Sequence, residues 1–137
     1  MKRNPDLTFL ANQGVLLLNG ALTCEPSMPD VHFELWRPFM NFFFKEIICN
    51  GQQGLHIVFY GEKAQSYMKL VPEGDESTLP FNIFHYLYSE NHPSYYAREH
   101  KEMKSDIFSK INKRMFENQG FKIYWDESEY IKNLPPF

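Results

Sequence analysis

The sequence predicts an α/β fold built on a short, mainly parallel sheet. Two observations predict it. Apolar extended runs at 15–19, 55–60 and 81–89 alternate with segments of helical periodicity. The helical stretches between them are long enough for right-handed crossovers. Composition agrees: 43% hydrophobic and 23% charged residues in 137 suit a single globular domain, 1–137, not a disordered chain. A chain of that length buries roughly 68% of its unfolded surface and needs no disulfide or metal staple.

Each element has its local reason. Asp6 caps a short helix that runs through Gln13 and stops at Gly14. The unbroken apolar run 15–19 reads as a buried strand. Pro26 and Pro29 make 20–34 a loop. A helix over 35–49 follows, with Trp36, Phe39, Met40, Phe43, Phe44, Ile47 and Ile48 at helical spacing and Pro38 in its first turn. Gly51 and Gly54 break it before the second strand, 55–60. Gly61 then opens a short helix over 62–70, and 72–80 is a polar loop. The third strand, 81–89, leads through a loop at 90–96 to a long helix over 97–118. Its stripe is Met103, Ile107, Ile111 and Met115, and Gly120 closes it. Residues 121–125 read as extended. Three strands with two main helices make a thin parallel sheet, because such sheets are usually covered on both faces. A strand supplied from elsewhere, or an unusual closure, is therefore expected.

Charge and cysteine usage exclude several classes. The net charge is −3, so the whole chain does not attract polyanions. Residues 4–97 hold 4 basic and 10 acidic side chains, whereas 98–122 hold 7 basic and 4 acidic. That basic helix either faces nucleic acid or is a solvated surface. Cys24 and Cys49 form no metal-ligand pattern, so no zinc site is expected. The apolar run after Met1-Lys2-Arg3 is too short for a signal segment, and no run approaches a membrane span. An intracellular compartment, cytoplasm or nucleus, is expected.

Ligands of open α/β sheets bind beyond the carboxyl ends of the strands. Asn19 ends the first strand, and His92-Pro93-Ser94 follows the third. An amide offers a donor and an acceptor side by side, which suits a nucleobase edge, and a histidine can donate to a developing anion. A turn-forming Asn and a turn-forming His-Pro are the plainer readings.

Gln13-Gly14-Val15-Leu16-Leu17-Leu18-Asn19, with Leu22-Thr23, resembles the Q-G-V-L-L-L-N-x-x-L-T segment of the family 1 uracil-DNA glycosylases. Trp36 matches that family's G-W helix start. Gly61, Ala64 and Gln65 match its G-S-x-A-Q turn. His92-Pro93-Ser94 begins like its H-P-S-P-L-S loop, and Phe108-Ser109-Lys110 with Asn112 matches its F-S-K-T-N helix. Ile123, Trp125 and Asp126 are similar to its terminal segment. The resemblance covers roughly 6–127. It implies a three-layer α/β fold truncated at the N-terminus, no metal or organic cofactor, and DNA, uracil-containing or single-stranded, as partner. It also implies that Asn19 reads the uracil edge and that His92 bonds the base as charge builds on it, the catalytic residue if the chain is active. Ser94 would hold a phosphate.

The departures are equally specific. The family's G-Q-D-P-Y-H loop, with its water-positioning Asp and stacking aromatic, has no counterpart here. Glu62 stands where a phosphate-binding Ser is expected, where it would repel that phosphate, and Tyr96 and Ala97 replace the wedge Leu and the last Ser. Tyr95 and Tyr96 suit base stacking or a protein interface, and Lys101 and Lys104 suit DNA phosphates. Three readings stand. One is a glycosylase-like module that binds DNA or protein without catalysis of its own. Another is the C-terminal part of an active uracil-DNA glycosylase. The last is a homodimer whose second copy completes the sheet.

Overall fold

A computed structural model describes residues 5–51, 54–71 and 85–136. The elements are α1 (Thr8–Ala11), α2 (Phe33–Phe42), β1 (His56–Tyr60), α3 (Gly61–Gln65), β2 (Tyr86–Glu90), α4 (Pro93–Arg98), α5 (Ile107–Gln119) and α6 (Glu127–Lys132). The chain divides into two compact units. One comprises 19–105; the other joins 1–18 to 106–137.

The 19–105 unit holds the sheet. β1 and β2 run parallel in the register His56↔Tyr86 to Tyr60↔Glu90, joined by a crossover containing α3. The α/β class with a short parallel sheet flanked by helices is as expected. The sheet has two strands among the described residues, not three. The expected 72–80 loop and the first residues of the 81–89 strand lie outside the described residues. Phe33, Met40 and Phe44 of one helix face close over Phe59, Tyr67 and Val71. Phe44 packs between Phe59 and Tyr67, with ring centroids 5.8 and 5.4 Å away. Aromatic rings bury large areas, so few residues suffice to cover these two strands.

Helix α2 starts two residues earlier than predicted and continues beyond Phe42 as a π-helical stretch, Phe43–Ile48. Pro38 therefore lies in the second turn, where its missing N–H leaves the Glu34 carbonyl without its helical donor. The wider π turn changes the phase of the side chains. Of the seven apolar positions assigned to this helix, Met40 and Phe44 are buried, whereas Phe39 and Ile47 are exposed.

The run 15–19 is not a strand. No strand pairs with it among the described residues, and Leu16 is 72% exposed beside exposed Leu17 and Leu18. Strand geometry needs a neighbouring backbone to take its N–H and C=O groups. The apolar pattern was legible, but its partner was not in the pattern.

The predicted long helix at 97–118 is two helices. His92 caps α4 by accepting the Ser94 N–H, and Pro93 takes the first helical position, where its lack of an N–H costs nothing. His100, at φ 52°, then turns the chain out of the helix. Lys101 and Lys104 thus lie in the link before α5, not on a helix.

In the other unit, α5 buries Ile107, Ile111 and Met115 at four-residue steps, as the stripe predicted, while Met103, the first position of that stripe, lies before the helix. Gly120 ends it at φ 77°, donating its N–H to the Phe116 carbonyl. Asp6 accepts the Thr8 N–H at 2.9 Å, and α1 is shorter than expected. Residues 121–125, expected to be extended, form no strand. Two side-chain amides take the place of a strand partner. Asn112 donates to the Ile123 carbonyl and accepts its N–H at 2.8 and 2.9 Å; Gln13 does the same for Tyr124 at 3.0 and 2.7 Å. Phe108 stacks on Trp125 with centroids 4.1 Å apart.

Candidate functional site

The carboxyl ends of β1 and β2 converge on one cluster. β1 ends at Tyr60, and Gly61 turns the chain into α3 at φ 86°. A Cβ at Gly61 would stand 3.0 Å from the His92 Cβ, so the close approach and the positive φ both require glycine here. Gln65 reaches across to donate to the Glu90 carbonyl at 3.0 Å. The site thus ties α3 to the end of β2.

His92 sits at the exposed start of α4. The Ser94 N–H and hydroxyl lie 3.1 and 2.8 Å from its Nδ1. A backbone N–H can only donate, so Nδ1 is the acceptor and the neutral ring carries its proton on Nε2. His92 is thereby prepared as an Nε2–H donor. The Ser94 hydroxyl is engaged with this ring rather than presented alone.

Tyr95 and Tyr96 are half-buried on α4 and meet edge to face at 5.3 Å. The Tyr96 hydroxyl donates to Glu90 Oε1 at 2.5 Å, and this carboxylate raises the phenol's pKa. Tyr96 is therefore anchored to the end of β2. The Lys101 ammonium lies 5.9 Å from the Tyr95 ring, and the Lys101 backbone N–H donates to the Tyr96 carbonyl. Lys104 is exposed, 4.0 Å from Glu102. Glu62 is exposed at the start of α3.

Asn19 is exposed and precedes a pinned loop. A Cβ on Gly20 would lie 3.0 Å from the Phe33 ring, so this glycine lets the chain pass against the core. Thr23 Oγ1 accepts the Trp36 indole N–H at 2.8 Å and lies 2.9 Å from His32 Nδ1. His32 Nε2 lies 3.3 Å from Glu25. The loop is thus fastened to the first turns of α2. No hydrogen bond or ring contact joins Asn19 to His92, Ser94, Tyr95 or Tyr96 among the described residues. The structure brings together His92 with Ser94, Tyr95 with Tyr96, and Lys101 with Tyr95.

Sequence reading missed Glu90 as the anchor of Tyr96 and Thr23 as the pin of the Asn19 loop. A Trp and a Thr thirteen residues apart carry no local periodicity that would signal their bond. A concavity of about 510 Å³ lies elsewhere, along Phe116, Gly120, Phe121, Lys122 and Tyr124. Among the described residues no group of three or more His, Cys, Asp or Glu is placed to hold a metal ion, and no helix is long and apolar enough to cross a membrane.

No family model matches the chain, and no solved structure does. Curated relatives do. The chain is 28% identical over 124 residues to the uracil-DNA glycosylase of Mycoplasmopsis pulmonis, covering 90% of this chain and 52% of that protein. It is 30% identical over 130 residues to the uracil-DNA glycosylase of Ureaplasma parvum, covering 90% and 54%. Identity to the uracil-DNA glycosylase of Borrelia hermsii is 34% over 107 residues, covering 77% and 44%. The chain spans about half the length of the curated relatives it matches.

Proposed function

Because the chain is related to uracil-DNA glycosylases across nine-tenths of its own length, we propose that these 137 residues recognise uracil in DNA and do not by themselves release it. The observation that carries the reading is the state of His92. With Nδ1 accepting from Ser94, the ring offers an Nε2–H donor, the form that bonds a base carbonyl. Asn19 supplies the complementary reading: its amide accepts the uracil N3–H and donates to O4. Cytosine presents the reverse pattern at these positions, so the same amide disfavours it. The exposed setting of both residues suits a nucleotide already unstacked or single-stranded. Lys101 and Lys104 add charge for the phosphates, and Tyr95 and Tyr96 add rings for stacking.

Release needs more than recognition. Hydrolysis of the glycosidic bond requires a water held against the sugar carbon by a base. The 137 residues contain no Asp-Pro-Tyr-His run. Glu90 Oε1 is taken up by the Tyr96 hydroxyl and the Asn91 N–H. Binding is thus separated from chemistry in this chain.

The test is affinity for short single-stranded oligonucleotides that differ only in one uracil or thymine. The uracil strand is expected to bind more tightly, and Asn19→Ala or His92→Leu to erase the difference, a loss of about 0.5–1.5 kcal/mol for each hydrogen bond removed. Equal binding of both strands contradicts the proposal. A second reading is favoured by the chain's coverage of only half of its relatives: Asn19 and His92 serve an active glycosylase whose remaining residues correspond to the other half. Uracil release that begins only when that half of a relative is added would favour it.

A further inference from the structure

An amide reads a base edge only if it is held in place. Turned over, the same amide exchanges its donor and acceptor and matches cytosine instead of uracil, and a displacement of about 1 Å spoils both bonds. Asn19 is exposed and is the first residue of the 19–105 unit. The residues that follow fix its place in that unit. Gly20 lies against the Phe33 ring, and Ala21 packs on the core cluster. Thr23 then bonds to two side chains at the start of α2, Trp36 and the N-cap residue His32.

The directions of these bonds follow from the groups. An indole N–H can only donate, so Thr23 Oγ1 accepts from Trp36 at 2.8 Å. The Glu25 carboxylate, 3.3 Å from His32 Nε2, favours the neutral ring that carries its proton there, which leaves Nδ1 as the acceptor. The Thr23 hydroxyl therefore donates to His32 Nδ1 at 2.9 Å. Glu25 is brought back over His32 by a tight turn, in which its carbonyl accepts the Met28 N–H at 3.0 Å and Ser27 stands at φ 60°. One hydroxyl thus accepts and donates at the same junction. Valine has nearly the same shape and can do neither. We infer, resting on Asn19 as the reader of the uracil edge, that Thr23 is a positioning residue for base recognition. Through Trp36 and His32 it fixes the Asn19 turn to the start of α2, and so decides how well the amide tells uracil from cytosine.

Two measurements on the purified chain test this together. One is the ratio of affinities for single-stranded oligonucleotides that carry one uracil or one cytosine at the same place. The other is the indole N–H resonance of Trp36. The wild type is expected to prefer uracil. Thr23→Val should lower that preference about fivefold, the effect of a lost hydrogen bond, and should shift the Trp36 indole resonance and speed its exchange with water. Thr23→Ser, which keeps the hydroxyl, should retain both. In the Asn19→Ala background, Thr23→Val should change the preference no further. A wild type that prefers uracil while Thr23→Val keeps the full preference, or keeps the Trp36 resonance unmoved, overturns the role of Thr23 alone. So does a loss shared equally by both strands, or a Thr23→Ser no better than Thr23→Val. Equal binding of uracil and cytosine by the wild type overturns the reading of Asn19, and the role of Thr23 with it.

Discussion

His85 is the polar side chain that the core encloses completely, with 0% of its surface exposed. Its Nδ1 accepts the Leu55 N–H at 3.2 Å and its Nε2 donates to the Ile48 carbonyl at 3.2 Å, so the neutral ring joins the end of the long helix to the strand start. Burial pushes its pKa below the ordinary histidine value of about 6.5. The unfolded chain therefore binds a proton that the folded chain refuses. The stabilisation is full above the unfolded value and is lost as pH falls from there toward the depressed folded value. Denaturant titrations at pH 7.5 and pH 5 should show wild-type stability falling with acid over that range. In His85→Gln that dependence should shrink, and stability at pH 7.5 should drop by about 1–3 kcal/mol for the disturbed Leu55 N–H and Ile48 carbonyl. Equal acid sensitivity in both proteins would assign the effect to other groups. Asp6 and Asp126 have pKa values lowered by bonds from Thr8 and Ser128, so the stability they give is present above about 4 and is lost only as pH falls below it, outside the pH 5–7.5 range.

At the scale of elements, amide side chains do the work of missing strands. Asn112→Ala removes both bonds to the Ile123 backbone, and Gln13→Ala both bonds to Tyr124. Each is expected to cost about 1–3 kcal/mol. Hydrogen exchange should show the Ile123 amide opening in the first variant and the Tyr124 amide in the second. Uniform loss of protection would instead mean global destabilisation. Gly61→Ala should cost at least about 1 kcal/mol, because alanine meets both φ 86° and the His92 Cβ. It should also displace His92, read as a shifted imidazole resonance, whereas an unmoved resonance would show that α3 yields instead. The same elements show what the sequence revealed. The Ile107, Ile111 and Met115 stripe, the Gly120 stop and the strand at 55–60, observed at 56–60, were legible because periodicity and glycine conformations are local, and the predicted 81–89 strand overlaps the observed 86–90. The helix break at His100 was not, because a histidine at positive φ has no pattern signature. The run 15–19 showed its apolar character but not its pairing, which depends on another segment of chain.

For the whole molecule, the described residues hold one pair of parallel strands, in the 19–105 unit, and three exposed leucines at 16–18, in the other unit. The candidate site was half legible: His92 and Ser94 came from their position after the strand that ends at Glu90 and from the family resemblance, whereas the strand expected to end at Asn19 is not formed, which leaves the resemblance alone for that residue. Glu90, Gln65 and Thr23 act through contacts between elements that no spacing announces. The account rests on recognition of uracil without its release. The direct measurement is free uracil liberated from uracil-containing single-stranded DNA by the purified 137-residue chain, followed over many hours with His92→Leu alongside. The account predicts no uracil from the wild type beyond the His92→Leu background, although the same preparation binds the strand. Steady turnover by the wild type that His92→Leu abolishes would contradict it.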